Sequence, residues 1–228
     1  MLGSASTRVT AFAFGLALAF GAAPTMASAQ ASEAAESAEA HAPVQQLADW
    51  VMASGDNQAL PFVIIDKTAA RVFVFDAEGE QLGETAALIG LQPGDDSAPG
   101  IGDRELSDMP PEERTTPAGR FLGGYGPAAD GRDVLWVDFA TAISLHAVVT
   151  TRPEEQRVQR LKTPAIDDNR ITYGCINVPK KFYRDVVRPV LSKSNGVFYI
   201  LPDTRPLSEV FPSFGVQLAQ SGQAAGSP

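Results

Sequence analysis

The sequence predicts a mainly β body, flanked by an export leader and a solvated tail. Three observations carry this reading. Short runs of β-branched and aromatic residues (62–65, 71–75, 134–139, 142–149 and 196–202) are separated by stretches rich in turn formers. The run 71–75 alternates Val72 and Val74 with Phe73 and Phe75, so both of its faces are apolar, as in a strand buried on both sides. Helical signals are confined to a few short windows, at 45–52, 153–161 and 180–191.

In chain order, residues 1–29 have the form of a secretory signal. Arg8 gives a positive start, 9–23 an apolar run, and Ala27-Ser28-Ala29 a small-residue cleavage site. The apolar run falls short of the ~20 residues that a spanning helix needs, so no membrane span is expected after cleavage. Residues 30–44, dominated by Ala, Glu and Ser, read as a flexible linker that contains His41. The folded domain is expected over 45–203. It opens with a short helix placing Leu47, Trp50 and Val51 on one side, followed by a meander of strands at 62–65, 71–75 and 81–89. Residues 90–114, rich in Gly, Pro and Asp, read as a long loop, a feature that is usually functional or mobile inside a compact domain.

Order returns at 115–121. Two more strands follow, 134–139 and 142–149, with His146 in the second. Residues 150–169 are an insertion expected to cap a cleft, with a helix at 153–161: Pro153 suits a first turn, acids follow it and bases close it. A helix over 180–191 puts Phe182, Val186 and Val190 on one face, with Pro189 kinking or ending it. After the strand at 196–202, residues 204–228 read as a disordered tail.

Composition excludes several functions. A formal net charge of -9 argues against nucleic acid, whose phosphates call for basic patches. A body of roughly 160 residues folds without disulfides or metal, so a lone cysteine is no structural handicap. One cysteine and one histidine in the folded part do not fill a closed zinc site, and neither a G-x-S-x-G elbow nor a phosphate-binding loop occurs. No cofactor or metal is implied.

What remains is the stretch 170–179, Arg-Ile-Thr-Tyr-Gly-Cys-Ile-Asn-Val-Pro, which holds the single cysteine of the chain. In an exported protein an odd thiol points to intermolecular pairing or to reactivity. A thiol attacks as its thiolate, and an imidazole can take its proton, which casts Cys175 as nucleophile and His146 as base. Gly174 lets the backbone come close, and the N–H groups of Gly174 and Cys175 are candidate oxyanion donors, at about 3 kcal/mol each. Asn177 is expected to brace the loop. Each residue also has a plain structural reading: an inert buried thiol, a core histidine, a turn glycine.

Thr172-Tyr-Gly-Cys-Ile-Asn177, preceded by a strand histidine and followed by a helix, resembles the signature of the L,D-transpeptidase (YkuD-type) catalytic domain. There a histidine precedes Ser/Thr-His-Gly-Cys-hydrophobic-Asn, and Thr172, Gly174, Cys175, Ile176 and Asn177 match position by position. The opening meander through Gly90, the stretch 116–121 and the strand from Gly196 extend the resemblance over about 60–202. It implies a β-sandwich of mixed sheets with a few short helices, Cys175 as nucleophile, His146 as base, and peptidoglycan stem peptides as donor and acceptor. It further implies action in the periplasm or cell wall, with carbapenem-type inhibitors acylating the cysteine. Family members usually form 3→3 cross-links.

Two departures stand out: Tyr173 replaces the usual histidine, and the insert at 150–169 lengthens the interval from His146 to Cys175. They leave open 1→3 links made from the L-alanine that opens the stem. Arg170 beside the motif, and Arg152, Arg157, Arg160 and Lys162 in the insert, are the candidate clamps for substrate carboxylates. The alternatives are hydrolysis by the same acyl-enzyme, as an L,D-carboxypeptidase or endopeptidase, and a non-catalytic wall-binding module.

Overall fold

A computed structural model describes residues 42–128, 131 and 133–217. The predicted leader, most of the linker and the last part of the tail lie outside the described residues. Strands β1 (Phe62–Asp66) and β2 (Arg71–Phe75) pair antiparallel, with Phe62 opposite Phe75 and Asp66 opposite Arg71. Asp66 makes the turn between them, its Oδ1 accepting from Thr68 N (2.8 Å), Thr68 Oγ1 (2.7 Å) and Ala69 N (3.0 Å).

The expected third strand divides. β3 (Gln81–Ala86) continues the meander at the sheet edge, whereas β4 (Ile89–Gly90) leaves it to pair in parallel with β8 (Arg170–Thr172). Ala87, Leu88 and Ile89 are fully buried while β3 is open to solvent, so the chain must turn inward between them. Leu88 then bridges Asn177, each amide donating to the other's carbonyl (2.8 and 2.9 Å).

The remaining strands are β5 (Gly119–Pro127), β6 (Asp133–Asp138), β7 (Ile143–Ala147), β9 (Ile176–Val178) and β10 (Gly196–Ile200). They complete an eight-stranded sheet in the order β3-β2-β1-β10-β5-β6-β7-β9, mixed because β1–β10 and β7–β9 are parallel. The first half of β5 pairs with β10 and the second half with β6, and the crossover falls at Gly123 and Gly124. A Cβ on Gly123 would lie 2.2 Å from Trp136 O, so only glycine permits this approach.

The sheet halves meet face to face. Val63, Val72, Val74 and Phe198 from one half pack with Leu135, Leu145, Ile176 and Val178 from the other. The predicted sandwich of mixed sheets is thus one large mixed sheet folded on itself beside a two-stranded one. As expected, β2 is buried on both faces, its valines inside that core and its phenylalanines in a second one.

The second core corrects two boundaries. Helix α1 (Ala42–Ser54) starts inside the predicted linker and buries Val44, Leu47, Trp50 and Val51 against Phe62, Phe73 and Tyr199. The tail expected to be disordered from 204 is packed as far as Phe214, whose ring is 2% exposed and lies 5.8 Å from Trp50. No helix of the described residues is long and apolar enough to cross a membrane.

The insert is not one helix. A 3-10 turn (Pro153–Glu155) and α2 (Arg157–Arg160) are separated by Gln156 at φ 48, and a further 3-10 turn covers Ile166–Asn169. After the motif, α3 (Lys180–Phe182) passes through a π turn (Tyr183–Val187) into α4 (Arg188–Leu191). Pro189 does not break the helix, because the restart at Arg188 places it in a first turn, where its missing N–H matters least.

Candidate functional site

Tyr173, Gly174 and Cys175 form the turn between β8 and β9. Thr172 closes it from within: its hydroxyl accepts from Gly174 N (3.1 Å) and donates to Cys175 O (2.7 Å). Thr116 closes it from outside, donating to Gly174 O (2.7 Å) while accepting from Gly90 N (2.9 Å). Gly174 sits at φ 127, and a Cβ there would meet Thr115 O at 2.6 Å and Ile143 Cδ1 at 2.7 Å. The motif glycine is therefore a steric requirement. Its N–H is taken by Thr172, so it is not the free oxyanion donor that the sequence suggests.

The parallel register of β7 and β9 sets His146 opposite Asn177. Side chains two apart share a strand face, so Ser144 stands beside His146 and Cys175 beside Asn177. The half-buried Cys175 Sγ receives a hydrogen bond from Ser144 Oγ (3.4 Å) and lies 3.6 Å from Ala142 O. Burial pushes the thiol pKa up, but the hydrogen bond and charge of His146, with the Ser144 hydroxyl and amide, outweigh it and hold the thiol below its ordinary value. At His146 burial pushes down, but the hydrogen bond and charge of Cys175 together with the Ala147 carbonyl outweigh it, so the imidazole is raised. Each group thereby favours the charged form of the other.

Cys175, His146, Ser144 and Tyr173 line one groove of about 950 Å³, together with Arg104, Glu105 and Trp136. Thr151, Arg152, Glu155 and Arg157 bring the insert to its edge. The Tyr173 ring is covered by Arg114, whose guanidinium lies 4.2 Å from the ring centroid and is held by Met109 O (2.8 and 3.0 Å). Among the described residues no cluster of three His, Cys, Asp or Glu side chains could hold a metal.

The predicted carboxylate clamps separate. Arg152 is at the groove with its side chain 63% exposed and Glu155 at 3.6 Å as its one ionic partner among the described residues. Arg170 is no clamp: it pairs with Asp203 (2.7 Å), is 11% exposed and does not line the groove. Arg157 is also committed, to Glu155 (2.5 Å) and to Asn177 Oδ1 (2.8 Å). Arg160 binds Glu155 O and Asp168 O, and Lys162 borders a different, smaller cavity. Asn177 does more than brace a loop, since its Nδ2 lies 3.1 Å from His146 Nε2. Ser144 and Arg114 were missed: the alternation along β7 signals Ser144, whereas nothing local signals Arg114.

The chain is similar to L,D-transpeptidase catalytic domains. The catalytic domain of the E. faecium L,D-transpeptidase matches at 15% identity and a TM-score of 0.36, over 61% of this chain and 95% of that one. The L,D-transpeptidase LdtMt1, solved in complex with imipenem, matches at 13% and 0.37, over 62% and 58%. The helical cell shape determining protein Pgp2 from Campylobacter jejuni matches at 15% and 0.41, over 64% and 49%. The chain thus spans nearly all of the first L,D-transpeptidase domain and about half of the other two chains. No protein-family model and no curated protein matches.

Proposed function

We propose that this chain is an exported L,D-transpeptidase that joins peptidoglycan stem peptides through a cysteine acyl-enzyme. One observation carries the reading: the single thiol lies in an open groove, lowered in pKa by a neighbouring imidazole and fixed on a turn that only glycine can make. A plain buried cysteine would have neither the groove nor the base. The motif supports the choice of substrate.

In the proposed reaction Cys175 Sγ attacks the carbonyl of an L-residue in the donor stem, and its proton passes to His146. The tetrahedral intermediate collapses, the C–N bond breaks, and the departing D-residue amine takes that proton from His146. The side-chain amine of diaminopimelate on an acceptor stem then attacks the thioester. His146 takes the amine's proton and the thiolate is regenerated. Arg152 is the arginine best placed to meet a substrate carboxylate, being exposed at the groove edge. The leader at 1–29 delivers the chain to the periplasm or cell wall, and a carbapenem would acylate Cys175 through its lactam carbonyl.

Purified sacculi incubated with the protein and analysed by mass should yield new cross-linked dimers, whose fragmentation distinguishes 3→3 from 1→3 links. Trimmed monomers alone would mean hydrolysis. Cys175→Ala should abolish product formation while leaving the fold intact, and full turnover by that variant would remove Cys175 from the mechanism.

A further inference from the structure

A row of polar groups joins the inserted segment to the base. Arg157 on α2 places Nη1 2.8 Å from Asn177 Oδ1, the Nδ2 end of the same amide lies 3.1 Å from His146 Nε2, and His146 Nδ1 lies 2.9 Å from Ala147 O. Both ends of the row have fixed polarity, because a guanidinium only donates and a carbonyl oxygen only accepts. Taken from Arg157, the amide atom facing it has to be oxygen, so an NH₂ group faces the ring and Nε2 has to accept. Taken from Ala147, the ring nitrogen facing the carbonyl has to carry the proton. The two ends demand the same ring: protonated on Nδ1, bare on Nε2.

We infer that Arg157 is a positioning residue: by holding the Asn177 amide in one of its two orientations, it keeps His146 in the Nδ1–H form with the Nε2 lone pair met by the Asn177 NH₂, so that the base rests uncharged before it takes the Cys175 proton. Turned over, the amide would offer its oxygen to Nε2. A doubly protonated ring would then donate to Asn177 and to Ala147 at once, and the base would be held already charged. Glu155 fixes the aim of the guanidinium by accepting from Arg157 Nε at 2.5 Å, and the Arg157 side chain is only 13% exposed. The other charged groups around the ring act in known directions. Cys175, from the turn before β9, raises the His146 pKa, and the Arg157 charge, from α2, lowers it. Arg152 lines the same groove and faces Glu155 at 3.6 Å.

The inference rests on the acyl-transfer reading for its consequence, but the state of the ring can be measured without turnover. The chain holds two histidines, so ¹⁵N-histidine labelling of the whole protein, with His41→Gln for assignment, isolates His146. Long-range ¹H–¹⁵N spectra across pH should show the neutral ring protonated on Nδ1 in the wild type. Arg157→Met should raise the His146 pKa and mix the tautomers, whereas Arg157→Lys, which keeps a cationic donor, should restore much of the wild-type pattern. A neutral wild-type ring protonated on Nε2 overturns the inference without any variant. So does an Arg157→Met protein, folded by its spectrum, whose His146 titrates as in the wild type. An Nδ1–H ring in a protein inactive on sacculi would count against the transpeptidase reading and leave this inference standing.

Discussion

Cys175 is pulled two ways. Burial favours the neutral thiol, while the imidazole of His146 and the hydrogen bonds from Ser144 favour the thiolate, and the second group prevails. A lowered pKa means that reactive thiolate is present at pH values below about 8.5, where a free cysteine is mostly protonated. The rate of iodoacetamide alkylation against pH should therefore rise at lower pH than for a free thiol. In His146→Gln the limb should move upward, because only the Ser144 hydrogen bonds then oppose burial. A limb that stays put in that variant would dissolve the pairing. Cys175, His146 and Gly174 were legible because each is rare or constrained in its surroundings. The arginines were not, because an arginine settles on whatever carboxylate the fold brings near: Arg170 finds Asp203, 33 positions away, and no local pattern announces such a partner. Asn177 was assigned to the loop because its two amide ends face residues from different elements, Arg157 and His146.

Strands declared themselves through composition. The runs at 62–65 and 71–75 became β1 and β2 almost residue for residue, since β-branched and aromatic side chains suit a doubly covered sheet. Elements whose order depends on distant packing were misread. The segment after 204 is polar enough to look solvated, yet Phe211 and Phe214 enter the core beside Tyr199 and Trp50. Phe214→Ala should then lower stability by about 3–5 kcal/mol in urea denaturation, the usual loss for a buried aromatic. An unchanged midpoint would return this segment to solvent. The division of the third strand has the same origin: Ala87, Leu88 and Ile89 fit a strand by type, but they are buried and Leu88 bridges to β9, which takes them off the meander edge.

Across the whole molecule, one buried cation ties distant parts of the chain. Lys67, with no exposed surface, donates to Gly94 O (2.6 Å), Asp95 Oδ1 (2.8 Å) and Thr116 O (2.9 Å), and Asp203 lies at 3.4 Å. Asp95 in turn accepts from the amides of Asp203, Thr204 and Arg205. Burial raises the Asp95 carboxyl, but Lys67, the Thr204 hydroxyl and the amides of Asp203 and Arg205 outweigh it and hold its pKa well below the ordinary carboxylate range. A group depressed in the folded state lends stability above its unfolded pKa of about 3.9 and loses it as pH falls further. Urea denaturation of the wild type should thus weaken progressively below about pH 4. Asp95→Asn should be less stable at neutral pH by up to about 3–5 kcal/mol, since the buried ammonium keeps only the more distant Asp203 as a charged partner, and should show a shallower acid dependence. Equal acid slopes in the two proteins would free Asp95 of this role.

The same ammonium also reaches towards the chemistry. It grips the carbonyl of Thr116, and the hydroxyl of Thr116 grips the carbonyl of Gly174, one residue before the sulfur. Durability and reactivity consequently share a fastening. A substitution that slackens the anchor of the C-terminal segment also frees the nucleophile to wander, so thermal hardening and catalytic tuning on this side of the protein are expected to be inherited together.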